Sequence, residues 1–183
     1  MRHPALLAVL AASAPSAVAE TAWADDVLLL RVSACLGGAD IPGELVTSVR
    51  CLVQVGSKVV VCTNRDGISH PWPGGRRRAG ETFSATGIRE ETGWLLDNSS
   101  LRQMGWLHFE HLTPPPRDHP FPHPDFCQVV LAGWARERDG GPEANWTDTD
   151  GYEVGSQLMS INEVWAAVSG DPVSRAYLPL LTA

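Results

Sequence analysis

The sequence is poor in positive charge and contains no long apolar run. It has 14 Lys and Arg against 21 Asp and Glu, which gives a formal net charge of −7. Surfaces that bind nucleic acid are basic because they follow phosphates, so we exclude nucleic acid as a partner. An anionic ligand then needs a local arginine cluster or a divalent cation. No apolar run reaches the ~18–20 residues that span a membrane, so no membrane partner is expected.

Paired cysteines are also missing. The four cysteines, at positions 35, 51, 62 and 127, include no C-x-x-C pair. Zinc-finger spacing is therefore absent, and we expect reduced, buried thiols and a cytoplasmic location. The N-terminal residues suggest the alternative location, secretion. An apolar run, Ala5 to Ala12, follows Arg2, and Ala17-Val18-Ala19 resembles a small-residue cleavage site. Residues 1–19 are thus either a secretory signal or an Ala/Leu-rich helix that packs on the domain.

The chain divides into two regions of different composition. We expect residues 1–45 to form an N-terminal extension that is mostly helical, with helices over 5–12 and 20–30. Its apolar segment would supply the contact of a homodimer. Residues 46–183 hold the domain, and 183 residues in all suffice for one core. There "LVTSVRCLVQV", "SKVVVCTN" and "DFCQVVLAGWARE" predict strands, and Ser160 with Glu163 predicts a helix start by a capping box. The pattern predicts a mixed sheet between helices, an α/β fold.

One stretch, "PGGRRRAGETFSATGIREETGW", carries the chemistry. Gly74-Gly75 lets a ligand approach the backbone closely, because no Cβ is in the way. A helix predicted over 81–91, capped by Thr82 or Ser84, brings acidic residues to its end. Clustered carboxylates repel one another unless a cation lies between them. Magnesium accepts such oxygens and bridges to substrate phosphates, so the stretch predicts a site that cleaves a diphosphate.

These residues resemble the box of the Nudix hydrolases: G, five residues, E, seven residues, R-E-U-x-E-E-x-G-U, where U is bulky and apolar. Gly75, Glu81 and Arg89-Glu90 match the first part, and Glu91-Thr92-Gly93-Trp94 match the end. Three residues of the family pattern are missing between the two parts. The resemblance covers about residues 46–170 and implies a Nudix-type α/β/α sandwich with a mixed β-sheet.

The contraction can be placed in two ways. In the left register Arg89-Glu90 are the R-E of the box, and Glu90 and Glu91 point ~100° apart on a helix. In the right register Glu90-Glu91 are the E-E pair, and Gly87 stands where the family has a glutamate. Either register lacks one carboxylate of three. Glu81 is the candidate that replaces it.

The resemblance implies a hydrolase that cleaves a phosphoanhydride in a nucleoside diphosphate linked to another moiety, a small phosphorylated substrate, with Mg²⁺ or Mn²⁺. The alternative is a catalytically impaired ligand-binding or regulatory protein of the same fold. A downstream acid, Glu110 or Glu153, would complete the site. The implied metal ligands are the Gly75 carbonyl, Glu81, Glu90 and Glu91, and the implied catalytic residues are Glu90, Glu91 and Glu153.

Three further residues are candidates for substrate binding. Arg76 leads the three arginines after the glycines, and guanidinium groups pair with phosphate oxygens. Trp72 precedes the same glycines and would stack on a flat ring. His119 lies in the proline-rich loop 113–124, where it would contact substrate from a flap. A zinc site among the histidines is disfavoured, because His108 and His111 stand three apart in a predicted strand and point to opposite faces.

Overall fold

The computed structural model describes residues 1–23, 27–90, 94–115, 117–137 and 153–181, with the side chains of 94–96 and 137 excepted. The helices are α1 (Pro4–Ala12), α2 (Phe83–Glu90), α3 (Ile161–Ala167) and α4 (Pro172–Arg175), with 3-10 turns at Gly43–Leu45, Asn98–Ser100 and Leu178–Leu181. The strands are β1 (Ala17–Trp23), β2 (Leu28–Leu36), β3 (Val46–Val55), β4 (Lys58–Asn64), β5 (Ser69–His70), β6 (Gly74–Arg76), β7 (Trp94–Leu96), β8 (Arg102–His111), β9 (Asp125–Glu137) and β10 (Glu153–Ser160).

A mixed sheet organises the molecule. Its main order is β1-β2-β8-β9-β3-β4-β10, with β5 on β4, β6 on β3 and β7 on β9. The β3–β9 pair is parallel, whereas the other pairs are antiparallel. Both strands of the parallel pair are covered on two faces, and β9 accordingly has a continuous apolar run from Val129 to Ala135, although four of the ten residues of β3 are polar. The predicted α/β class with a mixed sheet is confirmed.

Two apolar layers cover the two faces of the sheet. Leu52 belongs to the layer that packs under α3, α4 and the turn at 178–181. Its neighbours in β3, Cys51 and Val53, belong to the layer under α1 and α2. This alternation is the period of two that a strand imposes. Helices therefore lie on both sides, as an α/β/α sandwich requires, and the four cysteines are buried free thiols.

The helix expected over residues 20–30 is wrong. These residues belong to β1 and β2 instead, and β2 pairs with β8, so the sheet continues across residue 45. In β2 every second side chain is buried, from Leu28 to Ala34. Burial on the sheet thus outweighs the helix propensity of alanine and leucine, which is a weak preference.

The helix expected over residues 5–12 is confirmed as α1, which begins with Pro4 in its first turn and buries Leu6 completely. The capping box at Ser160 is also confirmed, since its hydroxyl accepts from Glu163 and the Glu163 carboxylate accepts in return. Across the residues that the structure describes, no helix is long and apolar enough to cross a membrane.

Candidate active site at Gly75 and Glu90

The β6–α2 segment presents the box. Gly74, Gly75 and Arg76 pair with Arg50, Val49 and Ser48 of β3. The Thr82 hydroxyl accepts a hydrogen bond from the Ala85 amide at 3.1 Å, so Thr82 caps α2 as predicted. The helix is shorter than the predicted 81–91, since it begins at Phe83.

Gly87 lets α2 lie close to the sheet. A Cβ built on Gly87 would come within 2.9 Å of the Cys51 sulfur, so no larger side chain fits there without a shift. Position 87 therefore has no room for the metal-binding glutamate that the right register of the box would place there. The left register, with Arg89-Glu90 as the R-E pair, agrees with this packing.

The Glu90 carboxylate occupies the space that a side chain on Gly75 would fill. A Cβ built on Gly75 would lie 2.5 Å from the Glu90 Cδ and 2.6 Å from its Oε2. The Glu90 side chain is 5% exposed. The carboxylate thus lies against the bare backbone of β6 rather than in solvent, which is the proximity that the box predicted.

Arg89 holds this carboxylate and ties it to Glu81. Its Nη1 donates to Glu90 Oε1, while its Nε and Nη2 donate to the two carboxylate oxygens of Glu81 at 2.8 and 3.0 Å. Nη2 also donates to the Arg76 carbonyl at 2.7 Å. One guanidinium therefore connects the helix, the turn before it and β6, and its planar array of donors suits that geometry.

The electrostatics follow from these bonds. The Arg89 hydrogen bond, followed by the backbone amide of Arg78, lowers the pKa of Glu81 to about 2. The same Glu81 bond raises the pKa of Arg89. Glu81 also accepts from the Thr86 hydroxyl. Glu81 would have to release at least one of these donors to bind a metal ion, so its predicted part as a ligand competes with its part as an anchor for Arg89.

The donors at this site suit a hard cation. A carboxylate beside a glycine backbone offers oxygen ligands of the kind that Mg²⁺ and Mn²⁺ prefer. Across the described ranges, no group of three His, Cys, Asp or Glu side chains is arranged to hold a metal ion. Glu91, the other predicted ligand, lies outside the described residues.

The predicted substrate-binding residues Arg76 and Trp72 differ in exposure and in their contacts. Arg76 is exposed, with its guanidinium 5.6 Å from the Phe121 ring centroid. Trp72 is 9% exposed, donates its indole N–H to the Ser174 hydroxyl and meets Tyr177 edge-on. Trp72 therefore fixes α4 to the sheet as well as bordering a cavity.

His119 lies in a group of three imidazoles. The His111 ring centroid is 5.2 Å from that of His119 and 5.1 Å from that of His123. Burial, and then the neighbouring His123, lower the pKa of His119. Burial is also the main cause that lowers the pKa of His111. His119 packs edge-on against Phe121 at 5.2 Å. The guanidinium of Arg76 also lies over this Phe121 ring.

The two downstream acids have different partners. Glu110 binds Arg31 Nη1 at 2.9 Å and also pairs with Arg2. Glu153 is buried and lies 2.7 Å from the His70 Nε2. Sequence reasoning missed the His70–Glu153 pair because 83 residues separate its members, and neither residue stands in a local motif.

A cavity of about 530 Å³ opens on the face of the sheet opposite α2. Trp23, Trp72 and Phe109 supply aromatic surface, while Arg50 and His70 supply polar groups. Arg50 is the partner of Gly74 in the β3–β6 ladder. The cavity and the Glu90 carboxylate therefore lie on the two sides of one short strand pair.

Comparison with known proteins identifies the fold. No protein-family model matches the chain, and no curated protein matches its sequence. Solved structures do. The Bacillus subtilis pyrophosphohydrolase BsRppH, in a mutant form, is similar with a TM-score of 0.52 and 15% identity, over 77% of this chain and 77% of that one. A candidate Nudix hydrolase from Listeria monocytogenes is similar with a TM-score of 0.53 and 12% identity, over 74% and 90%. The chain has the Nudix fold, as the box predicted.

Proposed function

We propose that the protein is a metal-dependent hydrolase that cleaves a phosphoanhydride in a nucleoside diphosphate linked to another moiety. The Glu90 carboxylate, placed where a side chain on Gly75 would be, is the observation that carries the proposal. The pair with Arg89 already compensates the burial of this carboxylate, so the proposal rests on where the carboxylate lies and not on its burial. The pyrophosphohydrolase activity named for BsRppH supports the class of reaction.

The chain's own residues divide the work. Glu90, Glu91 and the Gly75 carbonyl would hold Mg²⁺ or Mn²⁺, which, when bound, polarises a phosphoryl oxygen and acidifies a water. Arg89 keeps the Glu90 carboxylate against β6 through its bonds to Glu81 and the backbone. Arg76, exposed at the end of β6, would bind the phosphate that leaves.

Three predicted contacts complete the proposal. Glu153, the further ligand or base, is hydrogen-bonded to His70 and would have to give up that bond to reach a metal. Trp72 would stack on the ring of the substrate from the border of the cavity. His119 would approach from the loop beside Phe121. A small phosphorylated molecule is the proposed partner, whereas a homodimer, a cytoplasmic location and the secreted alternative stay predictions.

The second candidate is a Nudix-fold protein that binds such a ligand without efficient hydrolysis. The contracted box favours it, since Arg89 already occupies Oε1 of Glu90 and the three missing residues remove one carboxylate. Binding would then persist through the cavity while turnover is lost.

Turnover with a panel of dinucleotides, nucleotide sugars and nucleoside triphosphates, in Mg²⁺ or Mn²⁺, separates the two. We expect a nucleoside monophosphate among the products, identified by ³¹P NMR, and a loss of about 100-fold or more in kcat for Glu90→Gln. Glu44→Gln is the matched control, because the Glu44 side chain is 65% exposed. A folded wild-type protein that converts no compound favours the second candidate, and equal turnover by Glu90→Gln refutes Glu90 as the residue on which hydrolysis depends.

A further inference from the structure

His70 lines the cavity and is hydrogen-bonded to the buried Glu153. We propose that the His70 Nδ1 accepts a hydrogen bond from an N–H or O–H group of the nucleoside in the cavity, and that Glu153 keeps its bond to His70 and orients the ring as a positioning residue instead of binding the metal. The inference rests on the proposed function for the class of substrate. In this inference a residue outside the box, His70, determines which nucleoside the protein binds.

The fold brings the two residues together from distant parts of the chain. His70 ends β5, which pairs with one edge of β4, and Glu153 begins β10, which pairs with the other. The His70 Nε2 lies 2.7 Å from the Glu153 Oε1. The Glu153 side chain is 8% exposed, whereas that of His70 is 19% exposed. The carboxylate is thus the more buried of the two, and the imidazole is the one that lines the cavity.

The hydrogen bond to Glu153 determines which ring nitrogen can read a ligand. An ionised carboxylate only accepts hydrogen bonds, so the Nε2 of His70 carries the hydrogen. In the neutral ring the Nδ1 is then an acceptor. Carboxylates behind ligand-binding histidines fix the tautomer and orientation in the same way. His70 lines the cavity, so a neutral ring would offer this acceptor to the occupant and select a donor on it.

The walls of the cavity indicate a nucleoside as the occupant. Its volume lies in the range of small-molecule sites, and Trp23, Trp72 and Phe109 offer surfaces for a flat ring. Glu20, Asp171 and Arg50 also line it, and two carboxylates against one guanidinium disfavour an anionic group there. The ring end of the substrate would therefore enter the cavity.

The phosphate end would lie elsewhere. The phosphates would cross the β6 edge toward the Glu90 carboxylate. Arg50 stands at this transition, since it pairs with Gly74 in the ladder and its Nε donates to Gln128 at 3.2 Å. Binding of the nucleoside in the cavity would thus bring the anhydride to the box.

Two substitutions of His70 separate ligand recognition from a merely structural tie between β5 and β10. The side-chain amide of His70→Gln places an N–H near the position of Nε2 and can still donate to Glu153, but it offers no acceptor at the position of Nδ1. The shorter His70→Asn places an acceptor near the position of Nδ1 and loses the bond to Glu153. A structural role is preserved by Gln, and a recognition role is preserved better by Asn.

The experiment measures binding of ADP, GDP, CDP and UDP by calorimetry with Mg²⁺, and uses inorganic pyrophosphate as a probe without a ring. We expect the wild-type protein to bind at least one nucleoside diphosphate. His70→Gln should weaken that binding at least tenfold, His70→Asn should weaken it less, and pyrophosphate binding should not change. His123→Gln, at an exposed histidine outside the cavity, should leave all affinities at the wild-type level.

The positioning role of Glu153 has its own readout. Glu153→Ala should weaken nucleoside diphosphate binding, and the double variant with His70→Gln should lose no more than His70→Gln alone, since the carboxylate acts through the imidazole. Circular dichroism confirms that each variant is folded. Additive losses, or wild-type affinity in His70→Gln, overturn the inference, and so does a wild-type protein that binds no nucleoside diphosphate. Binding through His70 without any hydrolysis supports this inference and refutes the hydrolase proposal instead.

Discussion

Replacing Gly75 with alanine perturbs the Glu90 carboxylate through a single added carbon. The new Cβ would lie 2.5 Å from the Glu90 Cδ, whereas ordinary contacts of this kind begin at 3.4 Å. The carboxylate must therefore retreat by about 1 Å, and a misplacement of that size in a catalytic group costs about 100-fold in rate. Gly75 does not have a φ in the left-handed region, so the alanine is tolerated by the backbone, and the strain falls on Glu90.

The assay pairs kcat on the substrate found in the panel with Mn²⁺ affinity, measured from the free-ion signal in electron paramagnetic resonance. We expect Gly75→Ala to lose about 100-fold in kcat and to bind Mn²⁺ more weakly, with an overpacking cost in stability of about 1–3 kcal/mol. Gly43→Ala is the control, because its Cβ would meet nothing closer than 3.8 Å.

A second substitution makes the test specific. Glu90→Asp shortens the side chain by one methylene, so in the Gly75→Ala background it should restore part of the Mn²⁺ affinity by giving the carboxylate room. Wild-type kcat and Mn²⁺ affinity in Gly75→Ala would refute the reasoning that Glu90 must lie against bare backbone. The same would follow if Gly43→Ala showed losses of equal size.

Three further predictions concern the box and the histidine loop. Arg89→Gln should lower the urea midpoint of unfolding, because Glu81 and Glu90 lose a shared partner; a wild-type midpoint would count against this role. Insertion of Val-Tyr-Glu after Glu90 restores the family spacing and should raise kcat, because it returns the missing carboxylate. An unchanged kcat would show that the contraction does not limit turnover. Burial lowers the pKa of His111 below its ordinary 6.5, so the unfolded chain takes up the proton first and stability is lost as pH falls below about 6.5. Thermal unfolding should show a lower Tm at pH 5.5 than at 7.5, and His111→Phe should reduce that difference; an equal difference in both proteins would contradict it.

The box could be predicted from the sequence because its information is local. The glycines, the helix cap at Thr82 and the approach of Glu90 to Gly75 all lie within one short segment. The pairing of Glu81 with Arg89 was harder to anticipate, since it depends on how a turn folds back onto the helix. From the sequence alone Glu81 is expected to be a replacement metal ligand, because nothing local indicates its pairing with Arg89.

Contacts between residues far apart in the chain could not be predicted from the sequence. The bond between His70 and Glu153 joins strands that lie on opposite edges of β4, and no periodicity encodes it. The wrong helix over residues 20–30 has the same origin, because the apolar residues of β2 respond to β8, a strand about 80 residues away. Local propensity is overridden where a partner strand buries every second side chain.

The parallel pairing of β3 with β9 has a consequence for the order in which the molecule assembles. Val46 aligns with Cys127, and Gln54 with Trp134, so each rung of this ladder closes a loop of about 80 residues. Such distant pairings are slow to form because the entropy of loop closure comes before the gain. On the ribosome β3 leaves the exit tunnel well before β9. The helix α2, which carries Glu90 and packs on both strands, therefore has only β3 to pack against until β9 is synthesised. Carboxylate and glycine would then reach their final spacing late, when the last central strand docks.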